Sequence, residues 1–139
     1  MVEKKFFVAM KPPTVTYQEK RLGVTKSGKP IVYEDNRLAD ARAKLKSHLG
    51  KHIPDRPYTK GVQLIVKWCF PVTGKHKNGD YRLTKPDTDN LQKLLKDVMT
   101  ELGYWKDDAL VCSELCEKFW SDTPGIYICV KELSQSGYF

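Results

Sequence analysis

The chain has 139 residues, 40% hydrophobic and 29% charged, which suits one domain with enough apolar material for a core. A mean hydropathy of −0.52 excludes a long apolar helix, since no run approaches the roughly 20 residues a membrane span needs. The net charge of +7 favours a polyanionic partner and leaves the fold open.

Residues 3–10 (EKKFFVAM) alternate weakly and read as a first strand, ended by Lys11-Pro12-Pro13 because prolines cannot donate to a ladder. Residues 15–22 have strand character. Ser27-Gly28-Lys29-Pro30 is a turn signal, and Pro30-Ile31-Val32-Tyr33 completes an early hairpin. From Glu34 to about His52 the pattern turns helical, with Leu38, Ala41, Leu45 and Leu49 at spacings of three and four. Pro54 and Pro57 close that region, and Gly61–Val72 (GVQLIVKWCFPV) is a strand rich in β-branched and aromatic residues.

Residues 73–86 (TGKHKNGDYRLTKP) are a loop carrying Lys75, His76, Lys77, Arg82 and Lys85 against one acid, Asp80. After Pro86 comes the strongest helix, whose Leu91, Leu94, Leu95, Val98, Met99 and Leu102 form one stripe, with Gly103 as its C-terminal stop. Tyr104–Asp108 is a short connection. Residues 109–120 and 125–132 read as two strands joined by a turn at Asp122-Thr123-Pro124-Gly125. The expected class is α+β, a mixed sheet packed with two main helices, with residues 1–139 as a single domain.

The charge is unevenly spread. Residues 1–60 carry 14 Lys/Arg against 6 Asp/Glu, residues 61–86 carry 5 against 1, and residues 87–139 carry 5 against 10. A basic region that holds phosphates, beside acids that do chemistry, is one explanation; a solvated acidic helix and strand is the other. Cys69, Cys112, Cys116 and Cys129 have no CxxC pair and no histidine at zinc spacing, so they read as free buried thiols. His48, His52 and His76 read as surface residues, and Trp68, Trp105 and Trp120 as core or dimer anchors, Trp105 being notable for its place beside Asp108. The short apolar stretch of MVEKKFFVAMKPP lacks a cleavage site, so no signal peptide and a cytoplasmic location are expected.

The informative polar residues are Asp87, Asp89, Asn90, Lys93 and Asp108. Positions two apart on a helix point about 200° apart, so Asp87 and Asp89 converge only if Asp87 stays outside as the N-cap. Lys93 lies one turn after Asp89, on the same side and off the apolar stripe. Carboxylates beside a cationic surface suit a divalent cation and phosphodiester hydrolysis, with a lysine on the scissile phosphate. The competing reading is that Asp87 caps the helix, Asp89 complements its dipole and pairs with Lys93, and Asp107-Asp108 occupy a turn. Asp108 poses a geometric difficulty, because about 16 helical residues span roughly 24 Å and put it at the far end from Asp87. Either the connection runs back, or the strand brings a second molecule's acids close.

The segments Lys85-Pro-Asp-Thr-Asp-Asn-Leu-Gln-Lys93 and Gly103-Tyr-Trp-Lys-Asp-Asp-Ala109 resemble the RusA family of Holliday junction resolvases, which share D-x-D-N-L-x-K, an amphipathic helix, and G-[FYW]-[FW]-x-D-D. Met10-Lys-Pro-Pro-Thr14 is similar to the family's N-terminal Pro-Pro loop. The resemblance implies a RusA-like fold and a homodimeric endonuclease that resolves four-way DNA junctions by paired symmetric nicks. It implies Mg²⁺ as cofactor, with Mn²⁺ as a substitute. It maps the catalytic and metal-binding aspartates to Asp87, Asp89 and Asp108 and the functional lysine to Lys93, and we expect Asn90 in support. It also implies that the three aspartates form one site, through the way the following strand returns. Lys75, Lys77, Arg82 and Lys85 are the expected DNA contacts. They replace the run of arginines that better-known members carry before the first aspartate, which bears on junction selectivity. A nuclease with a broader diet of flaps and forks, and a basic DNA-binding protein without catalysis, are the alternatives.

Overall fold

A computed structural model describes residues 3–16, 20–24, 26–34 and 36–134. In chain order it contains strands β1 (Glu3–Val8), β2 (Lys20–Val24) and β3 (Pro30–Glu34), and helix α1 (Asn36–Leu49) with a 3₁₀ turn at Gly50–His52. Strand β4 (Val62–Pro71), helix α2 (Thr88–Leu102), a 3₁₀ turn at Asp108–Leu110, and strands β5 (Val111–Ser121) and β6 (Gly125–Glu132) follow. The early hairpin is present, with Lys20 opposite Glu34 and Val24 opposite Pro30. It starts later than the alternation suggested: residues 14–16 are irregular, and residues 17–19 lie outside the described residues.

The main sheet has the order β1-β6-β4-β5. β1 and β4 flank β6 antiparallel, and β5 lies parallel to β4, reached by the crossover through α2. The sheet is therefore mixed, as expected, with β5 on one edge.

Side-chain alternation defines the two faces. On β4, Val62, Leu64, Val66, Trp68 and Phe70 are all buried. The ladder places Ile126, Ile128 and Val130 of β6, and Phe6 and Val8 of β1, on that same face. Leu38, Leu45 and Leu49 of α1 and the stripe of α2 pack there in one core cluster. The structure is thus two layers, helices on one face of a sheet. On the opposite face Phe7 is 42% and Leu115 47% exposed, and no described helix covers them.

Gly103 ends α2 with φ 88°, its amide bonding Thr100 O at 3.1 Å while Tyr104 N–H reaches Met99 O at 3.1 Å. A left-handed residue there suits glycine. Trp68, Trp105 and Trp120 are all buried, and Trp105 donates its indole N–H to Thr100 Oγ1 at 2.7 Å. Trp105 is core, as expected. The four cysteines are free, but only Cys129 is buried; Cys112 is exposed, because it sits on an edge strand where burial depends on a neighbour.

Gly125 opens β6 hard against β1: a Cβ there would meet Val8 O at 2.6 Å and the Phe7 ring closer still. Gly125→Ala should therefore destabilise the fold by about 1–3 kcal/mol, measured as a lowered midpoint in urea or thermal unfolding.

Candidate active site

Helix α2 sets the site. Its Leu91, Leu94, Leu95, Val98 and Met99 are buried, and Asp89 and Lys93 are left on the exposed side. Asp87 stands at the N-cap with φ −73° and ψ 148°, outside the helix as expected, but its carboxylate makes no capping hydrogen bond. Among the described residues, the side chains of Asp87, Asp89, Lys93 and Asp108 form no hydrogen bond or ion pair. The pairing of Asp89 with Lys93 that a purely structural role would use is absent. Three charged groups at the start of α2, and Asp108 in the turn after it, are thus left free for a ligand.

Strand β5 runs back along α2. Cys116 Sγ lies 4.0 Å from Thr88 O, and Glu114 bonds Gln92 and Lys96 farther along the helix. Between α2 and β5 lies a groove of about 360 Å³ lined by Thr88, Asp89, Gln92, Lys93, Lys96, Asp108, Glu114 and Cys116. The return of the chain thus brings Asp108 to the groove that holds Asp89 and Lys93. Asp108 also borders Asp97, Thr100 and Glu101, so it sits toward the C-terminal end of α2. Among the described residues, no three His, Cys, Asp or Glu side chains converge to hold an ion. Asp108 thus reaches the groove of Asp89 from the C-terminal side of α2, while Asp87 stands at the helix's N-cap.

The donors present are of one kind. Asp89, Asp108 and Glu114 offer carboxylate oxygens, while burial pushes the Cys116 thiol up to about 12, so it stays protonated at neutral pH. Oxygen donors without thiolate or imidazole suit a hard cation. Mg²⁺ is commonly held by one or two carboxylates plus phosphate oxygens and water, and Asp89 and Asp108 are carboxylates on the lining of this groove.

The groove has a built wall. The buried indole N–H of Trp68 donates to Gln92 Oε1 at 2.8 Å, Gln92 Nε2 donates to Glu114 Oε2 at 2.6 Å, and Lys96 Nζ reaches Glu114 Oε1 at 3.0 Å. Gln92, Lys96 and Glu114 were not singled out from the sequence. A signal existed for Gln92, which stands three and seven residues before Leu95 and Met99 on the buried side. Asn90, expected in support, is half-buried and makes no side-chain hydrogen bond among the described residues.

The basic loop is folded onto β5. Gly79 N–H bonds Trp120 O, Trp120 N–H bonds Asp80 O, and Arg82 N–H bonds Lys118 O. His76 stacks on Trp120 at 4.2 Å, and Tyr81 stacks on Phe119 at 4.9 Å. Lys75, Lys77 and Lys85 remain exposed, with ammonium groups that have no partner among the described residues. Arg82 differs from them. Its guanidinium lies 4.3 Å from the Phe70 ring and 4.6 Å from the Trp120 ring, and donates to Thr84 Oγ1 and Lys85 O. The Lys85–Pro86 bond that leads into Asp87 is cis.

Free carboxylates and a lysine at a helix start, beside a cationic loop, suit the class of phosphodiester-cleaving enzymes. The match to known families is direct: the model of the endodeoxyribonuclease RusA family covers residues 12–131. The chain belongs to the RusA family and is a hydrolase, an endodeoxyribonuclease. It is 33% identical over 103 residues to the crossover junction endodeoxyribonuclease rusA of Lactococcus phage r1t, covering 73% of this chain and 76% of that protein. It is 41% identical over 95 residues to the uncharacterized protein YqaN of Bacillus subtilis (strain 168), covering 60% and 66% respectively.

Gln92→Leu leaves the Trp68 N–H buried without an acceptor, so it should cost about 1–3 kcal/mol of stability, read by urea titration.

Proposed function

We propose that this chain, with residues 1–139 as one domain, is a structure-selective DNA endonuclease that resolves four-way junctions by paired symmetric nicks and uses Mg²⁺, or Mn²⁺ in its place. The observation that carries the reading is the set of unpaired charged side chains at the start of α2: Asp87, Asp89 and Lys93, with Asp108 reaching the same groove. A helix that only needed a cap would bond the Asp87 carboxylate to its own amides. The relative from Lactococcus phage r1t, a crossover junction endodeoxyribonuclease, supports the choice of substrate.

The bound cation would activate water and offset charge on the phosphate. Asp89 and Asp108 would hold it, with Asp87 at the groove entrance and Asn90 in support. Lys93, on the same face one turn after Asp89, would hold the scissile phosphate and stabilise charge as it develops. Lys75, Lys77 and Lys85 would hold the duplex arms through phosphates, which gives salt-dependent binding with little sequence readout.

Two nicks related by symmetry need two sites, which a C2 homodimer supplies. The uncovered sheet face exposes Phe7 and Leu115 on its two edge strands, where a second copy could pack. A second copy could also complete the carboxylate set that one chain leaves open. A cytoplasmic enzyme accords with the DNA substrate, and among the described residues no helix is long and apolar enough to cross a membrane.

Asp89→Asn should lower junction cleavage by about 100-fold or more while junction binding without divalent cation stays intact. Cleavage by this variant at the wild-type rate would sink the assignment. A gel comparing junction, fork, flap and plain duplex, with and without Mg²⁺, separates a resolvase from a broader nuclease and from a DNA-binding protein that does not cut. Light scattering at micromolar concentration should give twice the 16.0 kDa chain mass; a monomer would remove the paired-nick scheme.

A further inference from the structure

Three consecutive backbone carbonyls immediately before Asp87 are each held by a cation. Lys118 Nζ donates to Thr84 O at 2.7 Å and to Pro86 O at 2.8 Å. Arg82 Nη2 donates to Lys85 O at 2.6 Å. We infer that Lys118, assisted by Arg82, is a positioning residue that clamps the Thr84–Pro86 backbone and thereby aims Asp87 into the site. The inference rests on the nuclease reading for what Asp87 does, and it adds a residue that lies outside the acidic motif.

The geometry fits a clamp better than a DNA contact. Lys118 stands opposite Trp68 in the β4–β5 ladder, on the helix-facing side of β5. That ladder runs from Val62 to Pro71 on β4, so the base of the Lys118 side chain is held by a long strand. Residues 84–86 have no ladder of their own, because the bridge from the loop to β5 is at Tyr81 and Phe119. An ammonium has three N–H donors, and two of Lys118's are already given to carbonyls.

Arg82 is itself immobilised, lying against Phe70 and Trp120 while its backbone N–H bonds Lys118 O at 2.9 Å. The two cations are thus joined through the backbone. This also gives Arg82, expected at the DNA, an internal use. Asp87 has no side-chain bond of its own, so what the structure fixes for it is the position of its backbone and the direction of its Cα–Cβ bond. That backbone hangs from Pro86, whose carbonyl Lys118 holds. Charge-assisted bonds to ionised donors are the shorter and stronger kind, which suits a fixed frame around a reacting group.

The test compares wild type, Lys118→Met and Lys118→Arg on a synthetic four-way junction. It follows cleavage, the Mg²⁺ concentration at half-maximal rate, junction affinity without divalent cation, and amide exchange across residues 84–90. In Lys118→Met, cleavage should fall about 10–100-fold and the Mg²⁺ requirement should rise. Junction affinity should hold, and exchange across 84–90 should quicken while that of β4 does not. Lys118→Arg, which keeps N–H donors at the end of the side chain, should cleave faster than Lys118→Met. Should Lys118→Met not fold, Lys118→Leu, which also lacks a donor, carries the same expectations.

Unchanged cleavage, an unchanged Mg²⁺ requirement, unchanged exchange across 84–90, or no advantage of Arg over Met overturns the clamp. So does a loss of junction affinity in step with the loss of rate, which would make Lys118 a phosphate contact. A wild-type chain that cuts no branched DNA overturns the nuclease reading instead, and the exchange measurement still reads the clamp in that case.

Discussion

Helix α2 buries Leu91, Leu94, Leu95, Val98 and Met99 against the inner face of the sheet, and this burial leaves Asp89 and Lys93 on the solvent side. Removing those five side chains from water is worth roughly 1.5–3 kcal/mol each. Turning the helix to hide its charges would forfeit that gain and bury unpaired carboxylates as well. The direction of the polar side of α2 is therefore a consequence of core packing. The same packing requires a crossover that returns the chain beside α2 as β5, and so creates the groove.

Strand β5 then serves two purposes at once. Through Trp120 and Trp68's register partner Lys118 it joins the core side of the sheet, and through Glu114, Cys116 and Lys118 it faces the outer flank of α2. An edge strand can do this because its helix-facing side is only partly covered, so polar groups placed there stay within reach of solvent and of a ligand. Glu114 is tied to Gln92 and Lys96, and Lys118 to the carbonyls before Asp87. Partly buried backbone carbonyls need donors, and in this fold the edge strand supplies them from one long cationic side chain.

Much of the fold was legible in the sequence. The β2–β3 hairpin, the two helices, the stop at Gly103 and the final pair of strands follow from local periodicity and turn chemistry, which act over a few residues. Gln92 was not legible as a site residue, because its partners Trp68 and Glu114 lie 24 and 22 residues away. Lys118 was less so, since a lysine in a strand carries no local sign of the carbonyls it will meet 32 and 34 residues back. Nothing local separates Arg82 from Lys85 or the loop's other cations; the aromatic rings that hold it come from β4 and β5.

The amino-acid sequence alone determined the chemistry: a cationic loop, the spaced aspartates Asp87 and Asp89 at a helix start, Lys93 one turn on, and an amphipathic stripe to hold them outward. These are set by composition and by 3.6-residue periodicity, which need no partner elsewhere in the chain. Tertiary structure alone decided that Asp108 joins Asp89 and Lys93 along one groove, and that Lys118 and Arg82 hold the backbone between the loop and the helix. Those facts depend on where β5 lands against α2, and that is fixed by the parallel pairing of β5 with β4, a long-range contact that no local pattern specifies.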